Sequence, residues 1–219
     1  MTAEGRGAVA GRGPVAVIGA GGHAKVVIAT LQAAGFAVTA VFDDASAKWG
    51  SELLGVPVRG AVAELAGLDG VALVIAIGDN AARAKMAARL GEGRPWVSVV
   101  HPGALVHPSV KLGPGTVVFA GAVVQPDTRI GAHAIVNTGA SVDHDCRIGD
   151  FAHLAPGVRL AGGVEVGDGA LLGIGSVVKP SLVVGAWTTV GAGGAVVNDL
   201  PGGITAAGVP AKPLGGKKL

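Results

Sequence analysis

Aliphatic residues recur at every sixth position over nearly half of the chain. From Val106 to Val196, each step of six residues meets Val, Ile or Leu, sixteen times without an insertion. The residue two positions earlier is small in most repeats, as at Ala122, Ala134 and Ala152. A helical period of 3.6 would scatter the aliphatic residues around a helix axis, whereas residues two positions apart lie on the same side of a strand. The pattern therefore predicts a series of short strands with an apolar interior.

A second period, of eighteen residues, groups these repeats in threes. Glycine recurs at Gly113, Gly131, Gly149, Gly167 and Gly185. We interpret these glycines as one recurring corner, where the backbone needs a conformational freedom that other residues lack. Three repeats then form one coil with three flat faces, and the whole series predicts a parallel β-helix of hexapeptide repeats, about 25 Å long.

The residues before the repeats alternate between strand and helix patterns. Strands are predicted at Val15–Ile18, Ala37–Phe42, Val71–Ile77 and Trp96–Val100, a turn within Leu53–Val58, and helices at Ala24–Ala34, Ala61–Leu65 and Ala81–Leu90. This alternation is typical of a small parallel, Rossmann-like α/β sheet. We therefore predict a disordered lead-in at 1–13, an α/β domain at 14–101, a β-helix at 102–200, and a C-terminal loop cap and tail at 201–219.

Composition narrows the class of protein. The formal net charge is +2, aromatic residues make up 3% of the chain and tyrosine is absent, which disfavours nucleic-acid binding. Apolar runs are too short for a membrane span, and the first residues lack the layout of a secretory signal, so we expect a cytoplasmic protein without a membrane partner. The single cysteine excludes an internal disulfide.

Three predicted loops meet at the carboxyl edge of the α/β sheet. The Gly19–His23 segment opens a helix, where small residues let a phosphate approach backbone N–H groups. Asp43 and Asp44 end the next strand, where an acid can hold a ribose hydroxyl, and Gly78 follows the third. About four strands make half of a dinucleotide fold, so we predict a mononucleotide-linked ligand. A glycine-rich turn without any ligand is the alternative.

His144 is the strongest candidate for chemistry in the β-helix. It follows the inward Val142 by two residues, so it should point outward at a turn between Asp143 and Asp145. A carboxylate beside an imidazole fixes its tautomer and raises its basicity. A surface histidine without a function is the competing interpretation.

The remaining histidines and the cysteine give weaker signals. His153 is also expected to point outward, and we interpret His107 and His133 as surface or subunit-contact residues. The spacings between the histidines do not stack on an eighteen-residue coil, so no metal site is predicted. Cys146 has the phase of the small inward residues and is expected to fill the core rather than act as a nucleophile.

Several motifs together resemble a known family. In chain order they are Gly19-Ala20-Gly21-Gly22-His23, Phe42-Asp43-Asp44, Ile77-Gly78-Asp79-Asn80, Asn137-Thr138, His144-Asp145-Cys146, Ile148-Gly149, His153 and Gly208-Val209-Pro210-Ala211-Lys212. This set resembles the sugar O/N-acetyltransferases of the left-handed β-helix superfamily. It is most similar to the N-acetyltransferases of nucleotide-linked 4-amino-4,6-dideoxy sugars, of the UDP-bacillosamine-precursor and GDP-perosamine type.

The resemblance implies a left-handed coil and a homotrimer whose active sites lie between neighbouring β-helices. It implies that acetyl-CoA lies in the groove between neighbouring β-helices. It also implies that the α/β domain at 14–101, called the front domain below, holds a nucleotide-linked amino sugar. His144 would be the general base and Asp145 its partner, at a position where the family often has Glu. The residues implied for acetyl-CoA are His153, Gly162, Ile174 and Ala192. Those implied for the nucleotide sugar are Gly21, Gly22, His23, Asp43, Asp44 and Gly78; some members have Ser in place of Gly21.

Two other functions fit the same residues. A sugar O-acetyltransferase of the sialic-acid type would use the same fold and base on a hydroxyl group. A non-catalytic nucleotide-binding sensor would bind the nucleotide without turning over acetyl-CoA. A dinucleotide oxidoreductase is disfavoured by the short front domain.

Overall fold

The computed structural model describes residues 13–67 and 70–214. The predicted lead-in, apart from residue 13, and the predicted tail at 215–219 lie outside the described residues. The chain forms an α/β domain followed by a parallel β-helix, as the two hydrophobic periods predict.

The α/β domain is a five-stranded sheet with a helix on each face. Its elements are β1 (Pro14–Ile18), α1 (Gly22–Ala33), β2 (Ala37–Phe42), β3 (Glu52–Leu53), β4 (Val56–Gly60), β5 (Ala72–Ile75) and α2 (Asn80–Leu90), with 3₁₀ turns at Ser46–Lys48 and Val62–Gly67. The strand order is β3-β4-β2-β1-β5. All pairs are parallel except β3 with β4. The central strands are apolar on both faces because α1 covers one face and α2 the other.

Two segments differ from the sequence prediction. The stretch expected to hold only a turn near Leu53 forms the β3–β4 hairpin, and β4 then extends the parallel sheet beside β2. The fourth strand, predicted at Trp96–Val100, is divided. Its first residue makes a single bridge to Leu73, whereas Val99–Val100 pairs with Val117–Val118 in the β-helix. The six-residue repeat explains this, because Val100 lies one step before the first aliphatic residue of the predicted series.

From Leu105 to Val196, each strand of the β-helix has two residues and ends on a predicted aliphatic position. The first face holds Leu105–Val106, Val123–Val124, Ser141–Val142, Arg159–Leu160, Val177–Val178 and Ala195–Val196. The second face holds Lys111–Leu112, Arg129–Ile130, Arg147–Ile148, Glu165–Val166 and Val183–Val184. The third face holds Val99–Val100, Val117–Val118, Ile135–Val136, His153–Leu154, Leu171–Leu172 and Thr189–Val190, and continues into Thr205–Ala207 and Lys212–Pro213. Successive strands of a face pair in parallel, eighteen residues apart over the repeats.

The interior of the β-helix is filled as the repeat predicts. The aliphatic residues Val118, Val136 and Leu154 are fully buried, and so is Cys146. The inward threonines Thr116, Thr128 and Thr188 each donate their hydroxyl to a carbonyl, as Thr116 Oγ1 does to Gly131 O over 2.6 Å. The buried hydroxyl of Ser176 has no such partner, and a polar group of this kind costs stability.

The glycines spaced by eighteen residues serve a purpose other than the predicted one. None of the five has a left-handed backbone. A Cβ atom on Gly149 would instead lie 2.5 Å from Asp168 N and 2.8 Å from Gly167 C in the next coil. The prediction of conformational freedom was therefore wrong for this corner, where close approach of the coils excludes a side chain. A column of left-handed glycines lies instead at the corner between the third and first faces, at Gly121, Gly139, Gly157, Gly175 and Gly193, with φ of 64–71°.

The α/β domain packs on the third face of the β-helix. Val117, Phe119 and Ile135 project from that face and are 1% exposed, within the same apolar cluster as Val15 and Val27 of the front domain. The two domains therefore share part of one core, which fixes the carboxyl edge of the α/β sheet against the coils.

Gly149→Ala should lower the free energy of unfolding by about 3 kcal/mol, because the added methyl group meets backbone atoms that cannot rotate away. Gly175→Ala is the control in the same domain. Its Cβ would meet no atom within 4 Å, so only the left-handed backbone is strained, at about 1–2 kcal/mol. Urea unfolding at one protein concentration compares them. A loss at position 149 no larger than that at 175 would contradict the close-approach explanation.

Candidate active site

The loops at the carboxyl edge of the α/β sheet enclose a cavity of about 380 Å³. Its lining includes all six residues implied for the nucleotide sugar, namely Gly21, Gly22, His23, Asp43, Asp44 and Gly78. The three loops that the sequence predicted at this edge therefore line one cavity. Lys48 and Met86 also line the cavity, and neither was singled out in the sequence.

The N-terminus of α1 opens into this cavity. Gly21 is the N-cap residue, and no side chain caps the helix. A Cβ atom on Gly21 or Gly22 would meet no atom within 4 Å, so the space in front of the first turn is open. Helix N-termini attract anions, because their first N–H groups lack intrahelical partners and the helix dipole is positive there. The first turn can therefore hold a phosphate group, as the glycine pattern predicts.

Asp43 makes three hydrogen bonds within the protein. Its Oδ2 accepts hydrogen bonds from Ala20 N and Lys48 Nζ, at 2.7 and 2.8 Å, and its Oδ1 accepts one from Ala45 N at 2.8 Å. Partial burial alone would raise the pKa of Asp43, but the bonds from Lys48, Ala45 and Ala20 hold it below the ordinary value. The carboxylate therefore ties the loop after β1 to the end of β2 and places the Lys48 ammonium at the cavity.

Asp44 is likewise paired. It forms an ion pair with Arg89 of α2 and accepts a hydrogen bond from Val62 N at 3.2 Å. The Arg89 guanidinium holds the pKa of Asp44 below its ordinary value. Nearly half of each side chain is exposed, so this ion pair contributes little to stability.

His144 lies at the corner between the first and second faces, with an exposed side chain. Its Nδ1 lies 2.7 Å from Asp145 Oδ2, and its backbone N–H donates to Asp143 Oδ1 over 2.7 Å. Because a carboxylate only accepts, Nδ1 carries the proton and the free lone pair of the neutral ring is on Nε2. The hydrogen bond to Asp145, and then the charge of Asp143, raise the pKa of His144 above its ordinary value.

Gly162 leaves room for the imidazole of His144. It lies one coil beyond His144, and a Cβ atom there would come within 2.7 Å of Cε1 and Nε2 of the ring. The missing side chain at Gly162 therefore lets the imidazole lie against the next coil. This contact within one chain was not predicted, since the resemblance implied a contact between Gly162 and the thioester.

His153 projects from the third face, but the front domain covers much of it. Its Nδ1 lies 3.3 Å from Gly78 O, and its Nε2 lies 3.0 Å from Asn137 Nδ2. Burial, and then the nearby charge of Arg83, lower the pKa of His153 to about 4. The ring is therefore neutral, with its Nδ1–H facing a carbonyl and its Nε2 facing an amide donor. The Nδ1 contact joins the β-helix to the front domain, whereas the Nε2 contact stays within the β-helix; the sequence indicated neither.

His133 is buried, so its interpretation as a surface residue was wrong. Its ring stacks on Phe151, with centroids 5.2 Å apart, and meets the edge of Trp96 at 4.6 Å. Burial, and then the charge of Arg83, lower its pKa to about 4. The histidine lies at the turn between the second and third faces, which the front domain covers. His107 is exposed, as predicted, and its Nδ1 contacts Ser109 Oγ at 2.9 Å.

Ile174 and Ala192 lie on the edge between the third and first faces, along the column of left-handed glycines. Ile174 is 62% exposed. His144 lies at the other edge of the first face, so one chain does not bring its imidazole next to Ile174. A site built from both positions would need a second copy of the chain.

Sequence reasoning missed the buried pair Asn80 and Arg83 at the start of α2. Arg83 is 1% exposed and bonds to both domains. An arginine in an alanine-rich helix directly after a Gly-Asp-Asn loop was the only available signal, and helical composition alone gave it no role.

Across 13–67 and 70–214, no group of three or more His, Cys, Asp or Glu side chains is arranged to hold a metal ion. Among the helices in those same ranges, none is both long and apolar enough to cross a membrane.

Comparison with known proteins places this arrangement in a family. The model of the PglD N-terminal domain matches residues 14–90. The chain is 44% identical over 109 residues to UDP-N-acetylbacillosamine N-acetyltransferase of Bacillus subtilis (strain 168). That match covers 48% of this chain and 50% of the relative, so it spans about half the length of the curated protein.

Solved structures match over nearly the whole chain. PerB from Caulobacter crescentus, solved in complex with CoA and GDP-perosamine, is 49% identical, with a TM-score of 0.87 over 93% of this chain and 98% of that one. The acetyltransferase domain of PglB from Neisseria gonorrhoeae FA1090, solved with acetyl coenzyme A, is 39% identical, with a TM-score of 0.84 over 92% of this chain and 98% of that one. The β-helix is accordingly left-handed, and the predicted fold class is confirmed.

Asp145→Asn should lower the pKa of His144, because the largest cause that raises it is the hydrogen bond to the Asp145 carboxylate. An NMR titration of the His144 ring in both proteins measures this. Asp127→Asn is the matched control, since Asp127 occupies the same turn position one coil earlier, also with a left-handed backbone. An unchanged His144 pKa in Asp145→Asn, or an equal fall in the control, would contradict the pairing.

Proposed function

The chain belongs to the nucleotide-sugar N-acetyltransferases that join a PglD N-terminal domain to a left-handed β-helix, and on this basis we propose its reaction. It transfers the acetyl group of acetyl-CoA to the 4-amino group of a UDP- or GDP-linked 4-amino-4,6-dideoxy sugar. A cytoplasmic location remains a prediction.

The His144–Asp145 pair is the observation that carries the proposal. In the neutral ring it presents the lone pair of Nε2 at an exposed corner, and its basicity is increased by two neighbouring carboxylates. An amine that attacks a thioester must lose a proton, and a positioned imidazole is the usual group to accept it near neutral pH. The same chain carries an open cavity with a helix N-terminus and Lys48, which suit the diphosphate of a nucleotide sugar.

In the proposed step, the sugar nitrogen attacks the carbonyl carbon of the acetyl group and a C–N bond forms. Nε2 of His144 takes a proton from the nitrogen. When the carbon–sulfur bond breaks, the electron pair leaves with the coenzyme A sulfur, which takes up a proton. Asp145 keeps the imidazole in the required tautomer and stabilises the imidazolium. Cys146 takes no part because it is fully buried, and burial raises the pKa of its thiol.

The placement of the implied acetyl-CoA residues favours a site between chains. Ile174 and Ala192 lie on one edge of the first face and His144 on the other, so neighbouring β-helices would have to contribute one edge each. The first face and its edges also expose apolar side chains, with Leu105 71% and Val177 42% exposed. Burial of this surface between subunits would stabilise an oligomer. We therefore infer a homotrimer with acetyl-CoA between neighbouring β-helices, where Gly162 and His153 would lie near the acyl end.

Thiol release from acetyl-CoA tests the reaction. The acceptors are GDP-perosamine and UDP-linked 4-amino-4,6-dideoxy sugars, with mass spectrometry to identify an amide product. His144→Ala should lose about 10²–10⁴-fold in kcat, because it lacks the positioned base. His107→Ala, at another exposed turn of the same edge, should retain the wild-type rate.

Three results would change this proposal. A His144→Ala variant within about twofold of wild type would overturn the assignment of the base. Turnover only with a sugar hydroxyl, giving an ester, would favour the O-acetyltransferase. Nucleotide binding without turnover of acetyl-CoA would favour the sensor.

A further inference from the structure

Arg83 is a buried guanidinium whose five N–H donors all have acceptors. Nε donates to His133 O at 2.8 Å. One terminal nitrogen donates to Ile77 O and Gly78 O, at 2.8 and 3.1 Å. The other donates to Asn80 Oδ1 and Phe151 O, both at 2.7 Å. Arginine can donate five hydrogen bonds at most, so this fork is fully used, and each bond has a fixed direction.

The acceptors of Arg83 belong to both domains. Ile77 and Gly78 form the loop after β5, and that loop lines the nucleotide cavity. His133 and Phe151 occupy the same turn in successive coils of the β-helix, eighteen residues apart. One side chain therefore holds the cavity loop against two coils at once.

Asn80 extends this contact to a third coil. Its Nδ2 lies 3.1 Å from both Gly169 O and Ala170 O, while its Oδ1 accepts from Arg83. Gly169 follows Phe151 by eighteen residues, so Asn80 and Arg83 together contact three successive turns of one corner. His153, on the third face, adds a further contact to this group, because its Nδ1 faces the Gly78 carbonyl that Arg83 also contacts.

A fully apolar contact could have joined the domains without a buried charge. Burial of the guanidinium disfavours its charged form, and none of its hydrogen-bond partners is a carboxylate. Apolar packing, however, tolerates small sliding movements, whereas five directed bonds, four of them to backbone carbonyls, define one geometry. The buried guanidinium of Arg83 therefore contributes a precise placement of the front domain relative to the β-helix.

We propose that Arg83 is a positioning residue of the acetyl transfer, which sets the nucleotide-sugar cavity at the distance and angle from the β-helix that the reaction needs. The inference rests on the proposed function. The sugar nucleotide is gripped by the front domain, whereas the base and the acyl donor belong to β-helices. A displacement of about 1 Å between reacting groups can reduce a rate about 10²-fold.

The contrast between a tethered and an untethered acceptor tests this role. Arg83→Lys keeps a positive charge but has three donors on a flexible stem, so it cannot reproduce the fork. With the nucleotide-linked amino sugar that the wild type uses, its kcat should fall about 10–100-fold. Its KM for that acceptor and its Kd for acetyl-CoA should stay within threefold. With the free amino sugar, which the front domain does not hold, kcat/KM should stay within threefold of wild type.

Arg94→Lys is the matched control, because Arg94 Nε donates to Leu90 O inside the front domain alone. It should behave as wild type with both acceptors. An equal loss with both acceptors in Arg83→Lys would show damage to the acyl site and overturn the inference. So would a kcat within twofold of wild type with the nucleotide-linked acceptor.

Calorimetry supplies a readout that does not depend on activity. In Arg83→Lys and in Asn80→Ala, the front domain should unfold at a lower temperature than the β-helix, as a separate transition, whereas Arg94→Lys should follow the wild-type profile. If the wild-type chain acetylates no amine, the proposed function fails, and the calorimetric result alone decides whether Arg83 couples the domains. Wild-type profiles for both Arg83→Lys and Asn80→Ala would overturn that coupling.

Discussion

The eighteen-residue register of the β-helix is the constraint on which the rest of the molecule depends. Because each coil lies directly on the one before, a residue's surroundings are set by the residues eighteen positions away. The imidazole of His144 lies against the next coil because position 162 is glycine. The corner at Gly113–Gly185 stays closely packed because no side chain intervenes. The same stacking presents the carbonyls of His133, Phe151 and Gly169 as a column. An insertion between Gly149 and Gly162 would misalign all three features at once.

The front domain is attached to the β-helix at this column of carbonyls. A small α/β domain on one face of a β-helix could slide along the repeats, because a repetitive surface offers the same apolar contact at every coil. Shape complementarity alone would not determine which coils the α/β domain contacts. Arg83 and Asn80 remove the ambiguity, because they hydrogen-bond the carbonyls of particular turns. The charge of Arg83 also lowers the pKa values of His23, His133 and His153, although burial contributes more. The neutrality of these rings therefore depends first on their burial and only second on the residue that joins the domains.

The sequence predicted those features that depend on local periodicity. Sixteen aliphatic positions located sixteen strands, and the loops after β1, β2 and β5 were located at one sheet edge. Features that depend on contacts between distant segments were missed. His133 and His153 look like surface residues in the repeat, and only the docked front domain buries them. The bonds of Asp43 to Ala20 and Lys48 were missed for the same reason, since they depend on where two loops meet. Periodicity fixes which way a side chain points and leaves open what covers it.

The histidines show how that covering determines their chemistry. His144 and His153 are nine residues apart, and both project outward from two-residue strands or their turns. His153 is covered by the front domain near a buried cation, so its pKa falls to about 4 and it stays neutral. His144 is left exposed between two carboxylates, so its pKa rises. A raised pKa means that the base loses activity as the pH falls through that value, because protonation removes the lone pair of Nε2. Of the two, only His144 combines an accessible nitrogen with a carboxylate to stabilise its protonated form, which makes it the residue able to accept a proton.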